Sequence, residues 1–388
     1  MKKGWQRKRL DEVCEISMGQ SPDGDSYNTT GEGVPLINGP VEFSDESFGE
    51  TIRSKFTTEP TKFCKRGDLI LCVRGSTTGR MNIAGFDACI GRGVAAIRAK
   101  EYQPWINHFI NSKRDEIHGK GTGATFPNVS GATLAGFELI MPPIDEQRRI
   151  VGVLDEAFAG LATAKANTEK NLQNARAIFE SHLQSVFTQR GKGWVQSKLD
   201  DVCGFQNGFA FKSNTFKPSG VPILRISNIQ DGRVDTDNRL VFFDPKDYKE
   251  NLDRYRVVEN DLLIAMSGAT TGKLGFNTQR TVSYLNQRVG KFEPGEKLNK
   301  RFLYHFLSTK VEENLRISAG AAQPNLSTEQ IKGFMLPLPA IDEQTRIVET
   351  FETLQSKTQR LESIYQQKLA ALEALKKSLL HQAFEGKL

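Results

Sequence analysis

The strongest constraint on this chain is a segment that occurs twice. PPIDEQRRIVGVLDEAF, residues 142–158, returns as LPAIDEQTRIVETFETL, residues 338–354. In each copy a proline precedes IDEQ. A long proline-free run follows, with apolar residues at spacings of three and four, until a phenylalanine is followed within a few residues by glycine. That pattern predicts a long helix started and stopped alike in both copies. Asp145 and Asp342 are expected to cap the first turn, Glu146 and Glu343 to favour the helix dipole, and Gly191 and Gly386 to close the far ends.

The rest of the chain is doubled as well. GWQRKRLDEVCEISMG (4–19) answers GWVQSKLDDVCGFQNG (193–208), and GVPLIN at Gly33 answers GVPILRISN at Gly220. RGDLILCVRGSTTGRMNIAGF (66–86) answers ENDLLIAMSGATTGKLGF (259–276), and the PNVS segment within 121–142 answers PNLS within 318–339. The period, about 190 residues, is far too long for a solenoid. Four segments follow: a globe at 1–142, a helix at 143–187, a second globe at 188–339 and a second helix at 340–388. The first helix leads into the second globe, and the second would lead back into the first if the chain ends were joined. A pseudo-twofold relation then requires antiparallel helices and neighbouring termini.

The helices offer a seam along which to pair. Ile347, Phe351, Leu354, Thr358, Leu361, Tyr365, Lys368, Leu372, Leu375 and Leu379 alternate steps of four and three. Val151, Leu154, Phe158, Leu161, Leu172, Ala175, Phe179 and Val186 do so less regularly. Some 40 helical residues at about 1.5 Å each make a rod of roughly 60 Å. Around the first helix the apolar residues 150–161 cover an arc of roughly 160°, which suits either contact with the globe it leaves or docking of another subunit. Ile150, Val153, Ala157 and Leu161, with Ile347 and Phe351 of the second copy, are the docking candidates. Gly152 and Gly160, each costing about 1 kcal/mol relative to alanine in a helix, leave room for a second chain. Each globe reads as mixed α and β, with strands expected in DLILCV (68–73) and DLLIAM (261–266) and helices over 102–117 and 300–315.

Composition narrows the function. The 388 residues carry a net charge of +6, with +6 in 188–339, +1 in 1–142, and −1 and 0 in the two helical segments, so a polyanion would be gripped by the globes. Five cysteines without a CxxC pair suit reduced core thiols. The start, MKKGWQRKRLDEV, lacks the apolar region of a secretion signal, and no apolar run approaches the roughly 20 residues of a membrane span. A cytoplasmic location is expected.

GATTGKL (268–274) fails as a phosphate loop, since Ser267 stands where glycine is needed and Leu274 where Ser or Thr is needed. Its copy GSTTGRM fails too. A hydroxyl-rich turn closed by a cation suits nucleic-acid backbone instead, through Ser76, Thr77, Thr78, Ser267, Thr270 and Thr271 with Arg80 and Lys273; a hairpin turn with a solvated cation is the plainer alternative. Arg225 and Asn228 in GVPILRISN are further candidates. The five histidines show no metal-ligand spacing, and no catalytic constellation or dinucleotide fingerprint is present. The chain reads as a binder without a cofactor of its own.

The doubled P-x-I-D-E-Q-x-R-I-V, each closing a globe with a GxTTG[RK] turn and a PN[VL]S segment, resembles the specificity subunit of type I restriction-modification systems along the whole chain. The resemblance implies an α+β fold: two target-recognition domains related by a pseudo-twofold, separated by an antiparallel pair of long coiled-coil helices. It also implies binding of double-stranded DNA at an asymmetric bipartite target, with no membrane involved. Two methyltransferase subunits using S-adenosylmethionine, and restriction subunits using ATP with Mg, would supply the catalysis. Carried over by position, Arg74 to Arg80, Ser267 to Lys273, Phe126 to Asn128 and Gln323 to Asn325 belong to the recognition domains. The copies differ at Phe126 against Gln323 and at Gly91-Arg92 against Gln287-Arg288. Arg92, Gln287 and Arg288 are DNA-contact candidates, with guanine or phosphate as the arginines' target or, equally, a structural salt bridge. The PN[VL]S prolines are expected to shape a scaffold turn. Residues 21–60 and 209–257 show little mutual similarity, which predicts unlike half-sites about 10 bp apart. A coiled-coil scaffold with protein-binding globes is the competing class, told apart by absence of salt-sensitive binding to duplex DNA.

Overall fold

The computed structural model describes residues 4–46, 48–120, 128–189, 191–236, 240–317 (backbone alone for 311–317) and 325–388. It divides into two units, Met1–Lys170 with Gln366–Leu388, and Asn171–Tyr365. Both IDEQ helices are continuous, Ile144–Gln189 and Ile341–Phe384, and each contributes one end to each unit.

In the first unit, among the described residues, an antiparallel sheet orders strands Cys14–Met18, Val94–Ala99, Leu69–Cys72 and Met81–Ile83. A second sheet, of five short strands, is built around Val34–Ile37, paired in parallel with Ala88–Ile90. A ribbon of Gln6–Arg9 with Glu138–Met141 leads into the first long helix. The second unit repeats the scheme with Cys203–Asn207, Val289–Pro294, Leu262–Ala265 and Leu274–Phe276, with Val221–Leu224 parallel to Ser283–Leu285, and with a ribbon of Val195–Lys198 and Met335–Leu338. Leu69–Cys72 and Leu262–Ala265 are buried along their whole length because both faces are covered, which is why they read as unbroken apolar runs. The helix expected at 102–117 is two, Gln103–Ser112 and Arg114–Gly119, broken at Lys113; its counterpart is one, Lys300–Ile317.

The IDEQ motif works differently from the capping expected of it. Helices begin at Ile144 and Ile341, so Asp145 and Asp342 already lie in the first turn. The glutamine holds the helix start instead. Gln147 is buried and its Nε2 donates to the Pro142 carbonyl at 2.8 Å. Gln344, fully buried, donates to Pro339 and Lys297 carbonyls at 2.9 Å each and accepts from the Asn299 amide at 2.8 Å. At the far ends Gly386 takes the left-handed conformation, φ 72°, as a helix C-terminus favours, whereas Gly191 is not among the glycines with positive φ.

The two helices run antiparallel within each unit. In the first, Lys376 lies over the Phe158 ring and Lys165 pairs with Glu373 at 3.2 Å. In the second, Arg176 pairs with Glu362 at 3.0 Å and Phe187 packs on Phe351. The chain ends meet in the first unit, where a Cβ on Gly386 would lie 3.2 Å from the Trp5 ring. The expected seam needs correcting, however. Leu361 and Leu375 are 38% and 48% exposed and Lys368 is exposed, while their successors Glu362, Leu369 and Lys376 are half-buried. A straight helix of 3.6 residues per turn drifts by about 20° per heptad from a 3.5 repeat, enough to pass the seam to the next residue.

All five cysteines are buried and unpaired. Burial pushes the thiols of Cys14 and Cys203 up to about 12 and those of Cys64 and Cys72 to about 11, so all four stay protonated and inert. Among the described residues no helix is long and apolar enough to cross a membrane, and no group of three or more His, Cys, Asp or Glu is arranged to hold a metal ion.

Candidate nucleic-acid interface

Three loops meet at one end of the buried central strand in each unit. In the first unit the strand Leu69–Cys72 runs on through Val73, whose amide donates to the Gly93 carbonyl and whose carbonyl accepts from Val129, both at 2.9 Å; Arg74 bridges to Asn128. In the second unit the Met266 amide donates to the Arg288 carbonyl, the Met266 carbonyl accepts from Leu326, both at 2.9 Å, and Ser267 bridges to Asn325. The same backbone bonds thus bring together the GxTTG turn, the loop before the next strand, and the PN[VL]S segment.

The turn itself is a hairpin built identically twice. Gly75 and Gly268 have φ of 79° and 77°, and Gly79 and Gly272 of 88° and 85°, values that L side chains rarely adopt. Thr78 and Thr271 are buried, and their hydroxyls donate to the Gly75 and Gly268 carbonyls at 2.8 and 2.7 Å. They shape the turn and are not available to DNA. Thr270 is similarly engaged, donating to the Ile226 carbonyl at 3.0 Å, and Thr77 is half-buried against the Cys72 thiol. Each closing cation has a solvent-exposed acidic neighbour: Arg80 lies 3.7 Å from Asp45, and Lys273 lies 3.5 Å from Asp231 and 3.4 Å from Gln230. Asn228, 1% exposed, caps its own loop by accepting from the Arg225 amide at 3.0 Å and donating to the Asp235 carbonyl at 3.1 Å; a buried Glu42 in the first unit accepts from the Asn38 and Gly39 amides at 3.1 Å each. Asn228 is therefore a structural residue, and Arg225 beside it is half-buried.

What remains exposed is Arg74, Ser76 and Arg92 in the first unit and Gln287 and Arg288 in the second, with Ser267 half-buried. Among the described residues no side-chain hydrogen bond or ion pair engages Arg74, Arg92, Gln287 or Arg288, so the structural salt bridge considered for the arginines is not formed. An exposed guanidinium with no carboxylate partner keeps its full charge and its fork of donors for a ligand. The expected role of PN[VL]S is supported from its other end. Ser130 and Ser327 cap short helices, accepting from the Thr133 and Gln330 amides at 3.1 Å each. Phe126, Pro127, Gln323 and Pro324 lie outside the described residues.

Strand register corrects one alignment made from the sequence. Val94 pairs with Cys72 as Val289 pairs with Ala265. Gly19 presses on the Gly91 carbonyl as Gly208 presses on that of Asn286, a Cβ on either glycine falling 2.1 or 2.0 Å from the oxygen. Gly91 therefore matches Asn286, Arg92 matches Gln287, and Gly93 matches Arg288.

On the long helices the docking candidates separate by burial. Ile150 and Phe351 are fully buried in the cores of the first and second units and cannot meet another subunit; Val151 and Leu154 join Ile150. Ile347 is partly buried on the second core, Ala157 and Leu161 are half-buried, and Val153 is 42% exposed. Among the described residues nothing approaches a Cβ placed on Gly152 or Gly160 within 4 Å. Among the described residues, the exposed apolar residues of the long helices that the periodicity did not single out for docking are Ile178, Ile341, Leu361, Ile364 and Leu375.

Comparison with known proteins places these features. The family model for the type I restriction modification DNA specificity domain matches twice, over residues 2–173 and 191–373. The specificity subunit of the type I restriction enzyme MjaVIII from Methanocaldococcus jannaschii is 24% identical over 89% of this chain and 85% of its own length. That of EcoBI from Escherichia coli is 24% identical over 99% and 86%. Among solved structures, a chain from a study of assembly and conformational transition of a type I restriction-modification system superposes with a TM-score of 0.80 at 18% identity, covering 100% of this chain and 99% of that one. The HsdS subunit from Thermoanaerobacter tengcongensis gives 0.65 at 18% identity, covering 100% and 98%.

Proposed function

Because this chain belongs to the family of type I restriction-modification DNA specificity domains, we propose that it reads an asymmetric, interrupted DNA sequence, one half with each unit. It is the DNA-recognising, non-catalytic subunit of its system. The observation that carries the split reading is the doubled loop cluster: one scaffold, held by the same backbone bonds, presents Arg74 and Arg92 in one unit and Ser267, Gln287 and Arg288 in the other. Identical tips would read identical half-sites; these do not match.

Two methyltransferase subunits would dock along the helices, where Val153, Ile178, Leu361, Ile364 and Leu375 leave apolar surface in water. Those subunits would bind S-adenosylmethionine and rotate an adenine out of the duplex. Restriction subunits with ATP and Mg would join through the complex, and the assembly would work in the cytoplasm. Selection of duplexes from random DNA by the full-length chain with its methyltransferase partners tests the reading. Enrichment of two unlike short motifs at a fixed gap is expected, with binding that weakens steeply as salt rises. A single continuous motif, or none, contradicts it. Inserting the same number of residues into both long helices should change the gap and leave the half-sites alone.

A further inference from the structure

We propose that Arg92 and Gln287 are the equivalent base-reading positions of the two units, the first selecting a guanine in one half-site and the second an adenine in the other. The inference rests on the DNA-recognition reading above and adds residues and bases to it. Two independent observations make the positions equivalent: the strand pairing of Val94 with Cys72 and of Val289 with Ala265, and the contacts of Gly19 on Gly91 and Gly208 on Asn286. Both side chains are exposed, and among the described residues neither makes a side-chain hydrogen bond or ion pair. Their chemistry differs in the one respect that matters in a major groove. A guanidinium donates twice and fits the two acceptors of guanine, N7 and O6, whereas a carboxamide donates once and accepts once and fits adenine N7 and N6.

The scaffold around the two positions is fixed, so the difference is confined to the tip. The Arg92 amide donates to the Ser21 hydroxyl at 3.2 Å, tying that loop to the variable segment. The next residue must be small in the first unit, since a Cβ on Gly93 would lie 2.3 Å from the Asn38 carbonyl oxygen; its match is Arg288, whose side chain is exposed. The second unit therefore offers a carboxamide and a guanidinium on successive residues, where the first offers Arg92 with Arg74 across the Val73–Gly93 bond.

The test is selection from random duplexes by the full-length chain with its methyltransferase partners, comparing wild type with R92Q, Q287R and the pair combined. R92Q should lower the preference for G·C at a single position of one half-site by about tenfold to a hundredfold and raise that for A·T, leaving the other half-site unchanged. Q287R should do the reverse in the other half-site, and the double variant should show both changes. Thermal unfolding should match wild type because both side chains are exposed. An unchanged base preference with uniformly weaker binding would make these residues phosphate contacts and overturn the assignment. A wild-type protein that selects no interrupted motif would overturn the underlying DNA reading as well, and the two failures are distinguishable by that control alone.

Discussion

The two units share their interior and differ at their tips. Inside, the same order of four strands in the main sheet, the same hairpin bonds and the same buried glutamine recur, and substitutions such as Leu154 for Phe351 exchange one apolar side chain for another. At the loop ends, equivalent positions carry arginine against glutamine, glycine against arginine, and arginine against serine. The second sheets differ too. The core of Ile37, Ile70, Cys72, Ile90 and Val94 in the first unit is matched in the second by Leu224, Leu263, Ala265, Leu285 and Val289, but the second unit adds an aromatic cluster of Phe211, Phe243 and Tyr255, with Phe209, Tyr248 and Tyr284 packed on it. The lesson is a division of labour: buried residues keep the loop-bearing scaffold alike in the two copies, and exposed ones are free to differ.

Matched substitutions in the two units sharpen that comparison. The largest effect is expected at the helix roots. Phe351→Ala should cost the second unit about 3–5 kcal/mol and Leu154→Ala the first about 2–5 kcal/mol, measured by denaturant unfolding; a loss below about 1 kcal/mol at either would contradict the equivalence of the roots. Next comes the buried histidine pair. His108 is pulled down by burial, but Asp155, 2.8 Å from its Nε2, opposes the shift; at His305, packed against Phe179, Tyr304 and Phe351, burial and the nearby Arg301 lower the imidazole to about 4. Unfolded histidine titrates near 6.5, so the neutral His305 contributes stability above that pH and loses it as pH falls towards 4, about 3 kcal/mol in all. His305→Gln should flatten this acid loss in the second unit; an equally steep slope in the variant would refute the attribution.

Smaller differences follow from hydrogen bonding and surface charge. Gln344→Leu removes bonds to Lys297, Pro339 and Asn299 and should cost about 2–3 kcal/mol, against about 1 kcal/mol for Gln147→Leu, which loses the bond to Pro142. Equal losses would show that the two helix starts are held alike. Smallest of all, Lys165→Ala or Arg176→Ala should cost under about 1 kcal/mol, because Lys165–Glu373 and Arg176–Glu362 are solvent-exposed pairs, and the cost should vanish at high salt.

The duplication and both long helices were legible because repeated strings and period-3.5 patterns are local in the sequence. What was not legible is where an apolar face ends up. The arc at 150–161 fits a globe or a partner equally well, and only the packing of Ile150, Val151 and Leu154 against the first core, with Val153 left outside, decides it. The helix-start role of Gln147 and Gln344 was missed although both copies keep that residue; a polar side chain retained in an otherwise apolar contact stretch was the available signal. Arg92 and Arg288 look equivalent in the sequence but are not, because the intervening lengths differ and strand register is set by bonds between residues far apart in the chain. Thr78, Thr271 and Asn228 read as ligands because hydroxyls and amides that stabilise a turn look the same in sequence as those that bind a phosphate.

The central claim is that one scaffold, doubled and tipped differently, yields a target with two unlike halves. Mapping modified bases in the genome of cells carrying this chain with its methyltransferase subunits tests it most directly. One interrupted motif, with two dissimilar halves at a constant gap, is the predicted result. A palindromic motif, or an uninterrupted one, would contradict it.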